Sequence, residues 1–195
     1  MIRHRFRLLE RLPANIFGSD RSLVRIQAPR PVRHAQDSRS ALDLASLPES
    51  AHPAEFQIER VDDARSLERW LQAYVEGFGM AEAAARPFFD LYLAIGFDAS
   101  SPVRHYVGTL NGETVASSTL FLGAGVASIW HVGTAPGARR RGVGTAMTLA
   151  PLLDARDLCL RAGVLGSSES GLSIYEKLGF QTSGRIVQYR WTPKT

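Results

Sequence analysis

The residues with the clearest chemical purpose lie together, in Val132-Gly-Thr-Ala-Pro-Gly-Ala-Arg-Arg-Arg-Gly-Val-Gly-Thr-Ala146. An extended, β-branched run leads to Pro136, then to a basic glycine-bearing loop, then to a helical pattern. The first N–H groups of a helix lack partners inside it, and the helix dipole makes that end electropositive. A loop of this composition at a helix start suits a phosphate group. Gly142 and Gly144 remove side chains that would hold the phosphate off the amides, while Arg139, Arg140 and Arg141 add charge. A Walker loop would need Lys-Ser/Thr after its second glycine, but Gly137-x-x-x-x-Gly142 is followed by Val143-Gly144. A dinucleotide fingerprint would need Gly or Ala at position 147, which is Met, and a βαβ context, whereas the flanking strands read as antiparallel. A merely solvated basic run would not require glycines on both sides.

Arg139-x-x-Gly142-x-Gly144, preceded by Val132, Thr134 and Pro136, resembles the acyl-CoA pyrophosphate loop of the GNAT superfamily of N-acetyltransferases, [Gln/Arg]-x-x-Gly-x-[Gly/Ala]. A second block, Ser167-Ser-Glu-Ser-Gly-Leu-Ser-Ile-Tyr-Glu-Lys-Leu-Gly-Phe180, resembles the later family segment ending in Tyr-x-x-Leu-Gly-Phe, with Tyr175, Leu178, Gly179 and Phe180 matching. The two blocks occur in the family's order, and the resemblance spans roughly residues 56–195. It implies acetyl-CoA as co-substrate, its pyrophosphate on the amides of Arg139 to Thr145, Val143 included, and its pantetheine arm against the strand backbone of Val132 and Thr134. It further implies direct attack of an amine on the thioester. Tyr175 occupies the place of a residue that often protonates the departing thiolate in this family. His131, at the end of the preceding strand, and Glu169, in the segment facing the acceptor, are candidate bases; a structural histidine and a dipole-complementing carboxylate are the alternatives.

These groups need a scaffold, and most of it is legible. Phe56-Gln-Ile-Glu-Arg-Val alternates as a half-buried strand. Asp62-Asp63 cap a helix whose apolar residues Leu67, Trp70, Leu71, Tyr74 and Val75 recur at three and four. Residues 80–95 read as a second helix containing Pro87. Residues 105–110 and 113–122 flank Asn111-Gly112, a hairpin signal, and 126–134 form a third strand. A helix runs from after Pro136 to about 158 with a kink expected at Pro151; residues 160–167 are a strand, 171–178 a helix capped by Gly179, and 180–192 one or two closing strands. This order predicts an α+β fold of the GNAT type, a mixed, mostly antiparallel twisted sheet flanked by helices. Trp70, Phe88, Phe89, Tyr92 and Phe97 could line an acceptor pocket, although aromatics at helical spacing usually belong to a core.

Residues 1–55 contain five prolines and little periodicity and read as an irregular basic extension, with Ser40-Ala-Leu-Asp-Leu-Ala as a short strand or one helical turn. The stretch from Arg33 also resembles the tail of a preceding lobe, as in two-lobed members of the family. The chain has 195 residues and a net charge of +4. Residues 1–34 hold eight Arg against Glu10 and Asp20, so they carry +6 and the remainder −2. The basic character therefore belongs to the front, not to the catalytic body. A nucleic-acid or protein interaction module built on that front is the alternative function, but no recognised reading motif is present and aromatic interleaving is sparse. A GNAT fold that binds CoA without catalysis is another. Arg outnumbers Lys 21 to 2, a bias that GC-rich coding explains without a functional role. Cys159 is the single cysteine, so no internal disulfide is expected. No histidine has metal-ligand spacing, so no metal is predicted. The front lacks the continuous apolar core of a signal peptide and no membrane span is evident, so the cytoplasm is the expected location. The partner is expected to be a small-molecule or peptide amine, with nucleic acid and membrane not expected; a homodimer is compatible with the sequence.

Overall fold

Helix α1 (Ala64–Phe78) shows how the sequence sets the local frame. Asp63 accepts a hydrogen bond from the Ser66 N–H at 2.6 Å, and Ser66 Oγ accepts from the Asp63 N–H at 3.2 Å, a reciprocal cap on orphan donors. Gly79, at φ 62°, ends the helix in the left-handed region. In this computed structural model the described residues are 32–48 and 52–190. The remaining elements are β1 (Val32–Asp43), β2 (Phe56–Arg60), α2 (Glu82–Ile95), β3 (Val103–Leu110), β4 (Glu113–Gly123), β5 (Val126–Thr134), α3 (Val143–Asp157), β6 (Ala162–Ser167), α4 (Glu169–Lys177) and β7 (Gln181–Arg190).

The seven strands form one sheet in the order β2-β3-β4-β5-β6-β1-β7. Pairing is antiparallel for β2–β3, β3–β4, β4–β5 and β1–β6, and parallel for β5–β6. The expected mostly antiparallel sheet with flanking helices is what the chain forms. Strand alternation sorts two cores. Tyr106, Ala116, Leu120, Ala127 and Ile129 meet Val143, Met147 and Leu152 of α3. Val103 and Val107 belong instead to a cluster with Leu67, Trp70, Leu71 and Tyr74 of α1 and Tyr92 of α2. One face of the sheet therefore carries α1 and α2, and the other carries α3.

One sequence expectation needs correction. Residues 32–46, placed in an irregular extension, form β1 and a 3-10 turn inside the sheet. Ser40, Leu42 and Leu44 are buried at alternate positions while Arg39 and Asp43 are exposed. The strand runs antiparallel to β6, from Ser38 opposite Ser167 to Asp43 opposite Ala162. Ser40 Oγ meets Thr182 Oγ1 of β7 at 3.3 Å. The period-2 signal is present at Ser40, Leu42 and Leu44, but it is short and sits among prolines. Only the waiting edges of β6 and β7 make it a strand. The expected boundary at residue 55/56 therefore falls within the sheet-forming chain. Residues 1–31, with most of the charged front, lie outside the described residues. Smaller differences are at the ends: α4 starts at Glu169 rather than 171, and β7 is one strand. Helix α3 continues through Pro151.

Candidate active site

The phosphate-suited loop lies where the sequence places it, between β5 and α3. Gly142 is the N-cap of α3 at φ 81°, and no side chain caps the helix. The first helical hydrogen bond there runs from the Ala146 N–H to the Gly142 carbonyl, 3.0 Å. The N–H groups of Val143, Gly144 and Thr145 precede it, so they have no partner within the helix. A Cβ on Gly144 would lie 3.8 Å from Thr134 Oγ1 and 3.9 Å from Ile174 Cδ1, so the last residue of β5, the first turn of α3 and helix α4 converge at this point. Arg140 and Arg141 are exposed, Arg140 at φ 63°. Arg139 is held differently: its Nε donates to the Thr134 carbonyl and its Nη2 to the Gly77 carbonyl, each at 3.1 Å. Two of its donors thus fasten the loop to the end of β5 and to α1.

Beside this loop the sheet opens. Parallel pairing of β5 with β6 stops at Ile129 opposite Leu165, yet β5 runs on to Thr134 and β6 to Ser167. Val132 and Thr134 therefore have β4 on one side and no paired strand on the other. At the same height β5 carries a bulge: Ser117 pairs with Gly133 and Thr119 with Trp130, leaving Ser118 opposite both His131 and Val132. His131 takes φ 54°, a left-handed conformation that costs a non-glycine residue about 1–2 kcal/mol. Ser117 Oγ donates to its carbonyl at 3.1 Å. The bulge reverses the strand's alternation there. Strict period 2 would send His131 to the α3 face with Ile129, but it joins Trp130 on the α1/α2 face.

On that face His131 is half-buried among aromatic rings. Its ring centroid lies 5.6 Å from that of Trp70, 5.0 Å from Tyr74, 5.6 Å from Phe88 and 6.2 Å from Tyr92. Phe88 (36% exposed) and Trp130 (55%) leave this cluster open to solvent. Burial pushes the His131 imidazole down to about 4, so it is neutral near pH 7. His105, on β3, is pushed down to about 3 by burial and, to a lesser degree, by His131.

Tyr175, on α4, packs its ring against the α3-side core and meets Phe180 edge-on at 6.0 Å between centroids. Burial raises its hydroxyl above the usual phenol range, opposed by a weaker effect of hydrogen bonding with Thr148 of α3. A neutral, protonated phenol is the resulting form. Glu169 is the exposed first residue of α4, where its charge complements the helix dipole. The structure thus brings Thr134 and Gly144 together, with Val132 on the same unpaired edge of β5 and Val143 and Thr145 in the same first turn of α3. His131 stands on the adjoining bulge and Tyr175 on α4, beside Ile174, which reaches the same point. Thr119 and Ser118 escaped the sequence reading, in which Tyr74 is only part of the apolar face of α1. Ser118 Oγ is buried without a hydrogen-bond partner among the described residues. No local signal marks the two hydroxyls, because the bulge beside them is a matter of register between two strands. Among the described residues no His, Cys, Asp and Glu cluster of three or more could hold a metal. No helix among them is long and apolar enough to cross a membrane.

The profile described as Acetyltransferase (GNAT) domain matches residues 39–166. A mycothiol acetyltransferase of Saccharomonospora viridis is 28% identical over 159 residues, covering 79% of this chain and 45% of its own length. The chain thus spans about half the length of this curated relative. Among solved structures, a GCN5-related N-acetyltransferase from Sphaerobacter thermophilus superposes with a TM-score of 0.67 at 19% identity, over 81% of this chain and 51% of the other. A GCN5-related N-acetyltransferase from Kribbella flavida gives 0.60 at 19% identity, over 80% and 58% respectively. The superpositions speak for the fold, and the profile match, which covers most of the chain, speaks for the family. Together with the open β5 edge and the uncapped glycine start of α3, they place the chain in the acetyltransferase (GNAT) domain family.

Proposed function

We propose that the chain moves an acetyl group from acetyl-CoA to a primary amine, with both substrates bound together and the amine attacking the thioester directly. One observation carries this reading: the unpaired β5 edge lies directly against the uncapped, glycine-built first turn of α3. Extended backbone with free hydrogen-bonding groups suits the amide-bearing arm of CoA, and unpartnered N–H groups at a helix start suit its pyrophosphate. Val132 and Thr134 would hold the arm. Val143, Gly144 and Thr145 would bind the pyrophosphate through their amides, with Arg140 and Arg141 adding charge and Arg139 keeping the loop in shape. When bound, acetyl-CoA supplies an activated acyl carbon and a thiolate leaving group.

The chain's own residues then supply orientation and proton handling. The α1/α2 face receives the acceptor, a small-molecule or peptide amine, beside Trp130 and Phe88. His131 is neutral and can take a proton from the amine nitrogen as it bonds to carbon and its N–H becomes acidic. Tyr175, held protonated by burial, can give a proton to the departing sulfur. Glu169 lies on the surface, and its dipole role accounts for it without a catalytic one.

The test is release of CoA thiol from acetyl-CoA with a panel of polyamines, aminoglycosides, amino acids and peptides. At least one amine should support turnover. The Tyr175→Phe variant should lose about 10²-fold or more in kcat, with acetyl-CoA affinity by calorimetry retained. Tight acetyl-CoA binding with no thiol release for any amine would identify a binding fold without catalysis and sink the proposal.

A further inference from the structure

The inner side of the aromatic cluster holds a second imidazole, and one hydroxyl joins the two. Thr119 Oγ1 lies 2.9 Å from His105 Nδ1 and 3.4 Å from His131 Nδ1. These nitrogens are its only hydrogen-bond partners among the described residues, and Thr119 is fully buried. A hydroxyl has one proton to donate, and each neutral imidazole carries one N–H. If both rings donated to the oxygen, the Thr119 proton would have nowhere to go; if neither did, one Nδ1 lone pair would face the oxygen's lone pairs. Both contacts form and the Thr119 proton also finds an acceptor only when one ring bears its proton on Nδ1 and the other does not.

The shorter contact, at 2.9 Å, suits Thr119 O–H donating to His105 Nδ1, and the longer, at 3.4 Å, suits His131 Nδ1–H donating to Thr119 Oγ1. We infer that Thr119 fixes His105 and His131 in opposite neutral tautomers and so leaves the His131 Nε2 with a free lone pair. Thr119 and His105 are then positioning residues for the amine-acetylating reaction proposed above, and this role rests on His131 acting as its base. A proton taken from the amine arrives on Nε2, while Nδ1–H stays on the Thr119 oxygen. The wrong tautomer would place N–H where the amine proton must go. His131 Nε2 has no hydrogen-bond partner among the described residues, so nothing else there selects its state.

The experiment reads tautomers and rates separately on the full chain. In ¹⁵N-labelled protein near neutral pH, long-range ¹⁵N–¹H spectra should show His131 protonated on Nδ1 and His105 on Nε2. Thr119→Val should abolish the single His131 tautomer and lower kcat about tenfold, with the acceptor KM little changed. Thr119→Ser, which keeps the hydroxyl, should restore both and shows that a deficit is not misfolding. Two rings in the same tautomer, or the reverse assignment, overturns the inference whatever the activity. Wild-type kcat in Thr119→Val overturns the positioning role. Wild-type kcat in His131→Gln overturns the base reading of the proposed function, while the tautomer spectra still decide the pairing independently.

Discussion

His131 shows how much one backbone angle can decide. Its left-handed φ of 54° turns the imidazole from the α3 face to the α1/α2 face, into the rings of Trp70, Tyr74 and Phe88. Strain of this kind persists when the surroundings fix it, and it gathers at functional sites. Burial then makes the charged form costly in both His131 and His105. The consequence for stability has a definite sign. In the unfolded chain both rings titrate near 6.5, while in the folded protein they stay neutral until about 4 and about 3. Below pH 6.5 the unfolded state binds more protons, so stability is full above that pH and falls as pH drops toward 4. The slope is up to about 1.4 kcal/mol per pH unit for each ring. The urea midpoint should therefore be lower at pH 5 than at pH 7, and the imidazole proton shifts of both rings should stay flat over that range. An unchanged midpoint with titrating rings would contradict the burial described.

At the scale of elements, the sheet is closed by a strand from the front of the chain. β1 lies between β6 and β7, so the strand joining the last two strands in sequence is the first of the described ones. The same role explains why Leu42 and Leu44 are buried, and why a Cβ on Gly163 of β6 would come within 3.0 Å of a Leu44 methyl and 2.8 Å of a Leu152 methyl. Leu44→Ala should accordingly cost about 2–5 kcal/mol, the range for a fully buried leucine. A urea titration checks this; a loss within about 0.5 kcal/mol, as at an ordinary surface position, would mean that the segment is only loosely packed. The close fit of α1 on β5 has a similar origin. A Cβ on Gly77 would fall 2.8 Å from the Thr134 backbone nitrogen, so only glycine lets the helix reach the strand that Arg139 also fastens.

Across the whole molecule, charge is concentrated rather than spread. The net +4 is a +6 front and a −2 remainder, so the chain's overall sign says little about its substrate. The local Arg139–Arg141 cluster at one helix start matters more. If acetyl-CoA binds there, it must stabilise the folded chain by mass action, by about 2.7 kcal/mol at a concentration 100-fold above its Kd. For a fold of this size that is a rise in Tm of roughly 5–10 °C. The rise should shrink at high salt, since the arginines contribute through charge. A thermal melt with and without acetyl-CoA measures it, and an unmoved Tm would speak against the loop as a CoA site.

The loop, its flanking strand and helix, the Asn111-Gly112 hairpin and the Tyr175 block were legible in the sequence because each is local. Period, caps and glycines act over a few residues, and neighbouring residues carry the whole signal. Other features depended on partners distant in the chain. Ser40-Ala-Leu-Asp is a strand because β6 and β7 flank it, and the Thr182 hydroxyl that meets Ser40 is 142 residues away. Arg139 is fastened by the Gly77 carbonyl rather than left free. The direction of His131, its aromatic surroundings and its link through Thr119 to His105 follow from a bulge between two strands, which no run of neighbouring residues announces. Residue order along one stretch of chain is thus enough for the family resemblance and the phosphate-suited loop. The face that the histidine serves is fixed only in three dimensions, because it depends on register and packing between segments, not on composition within one.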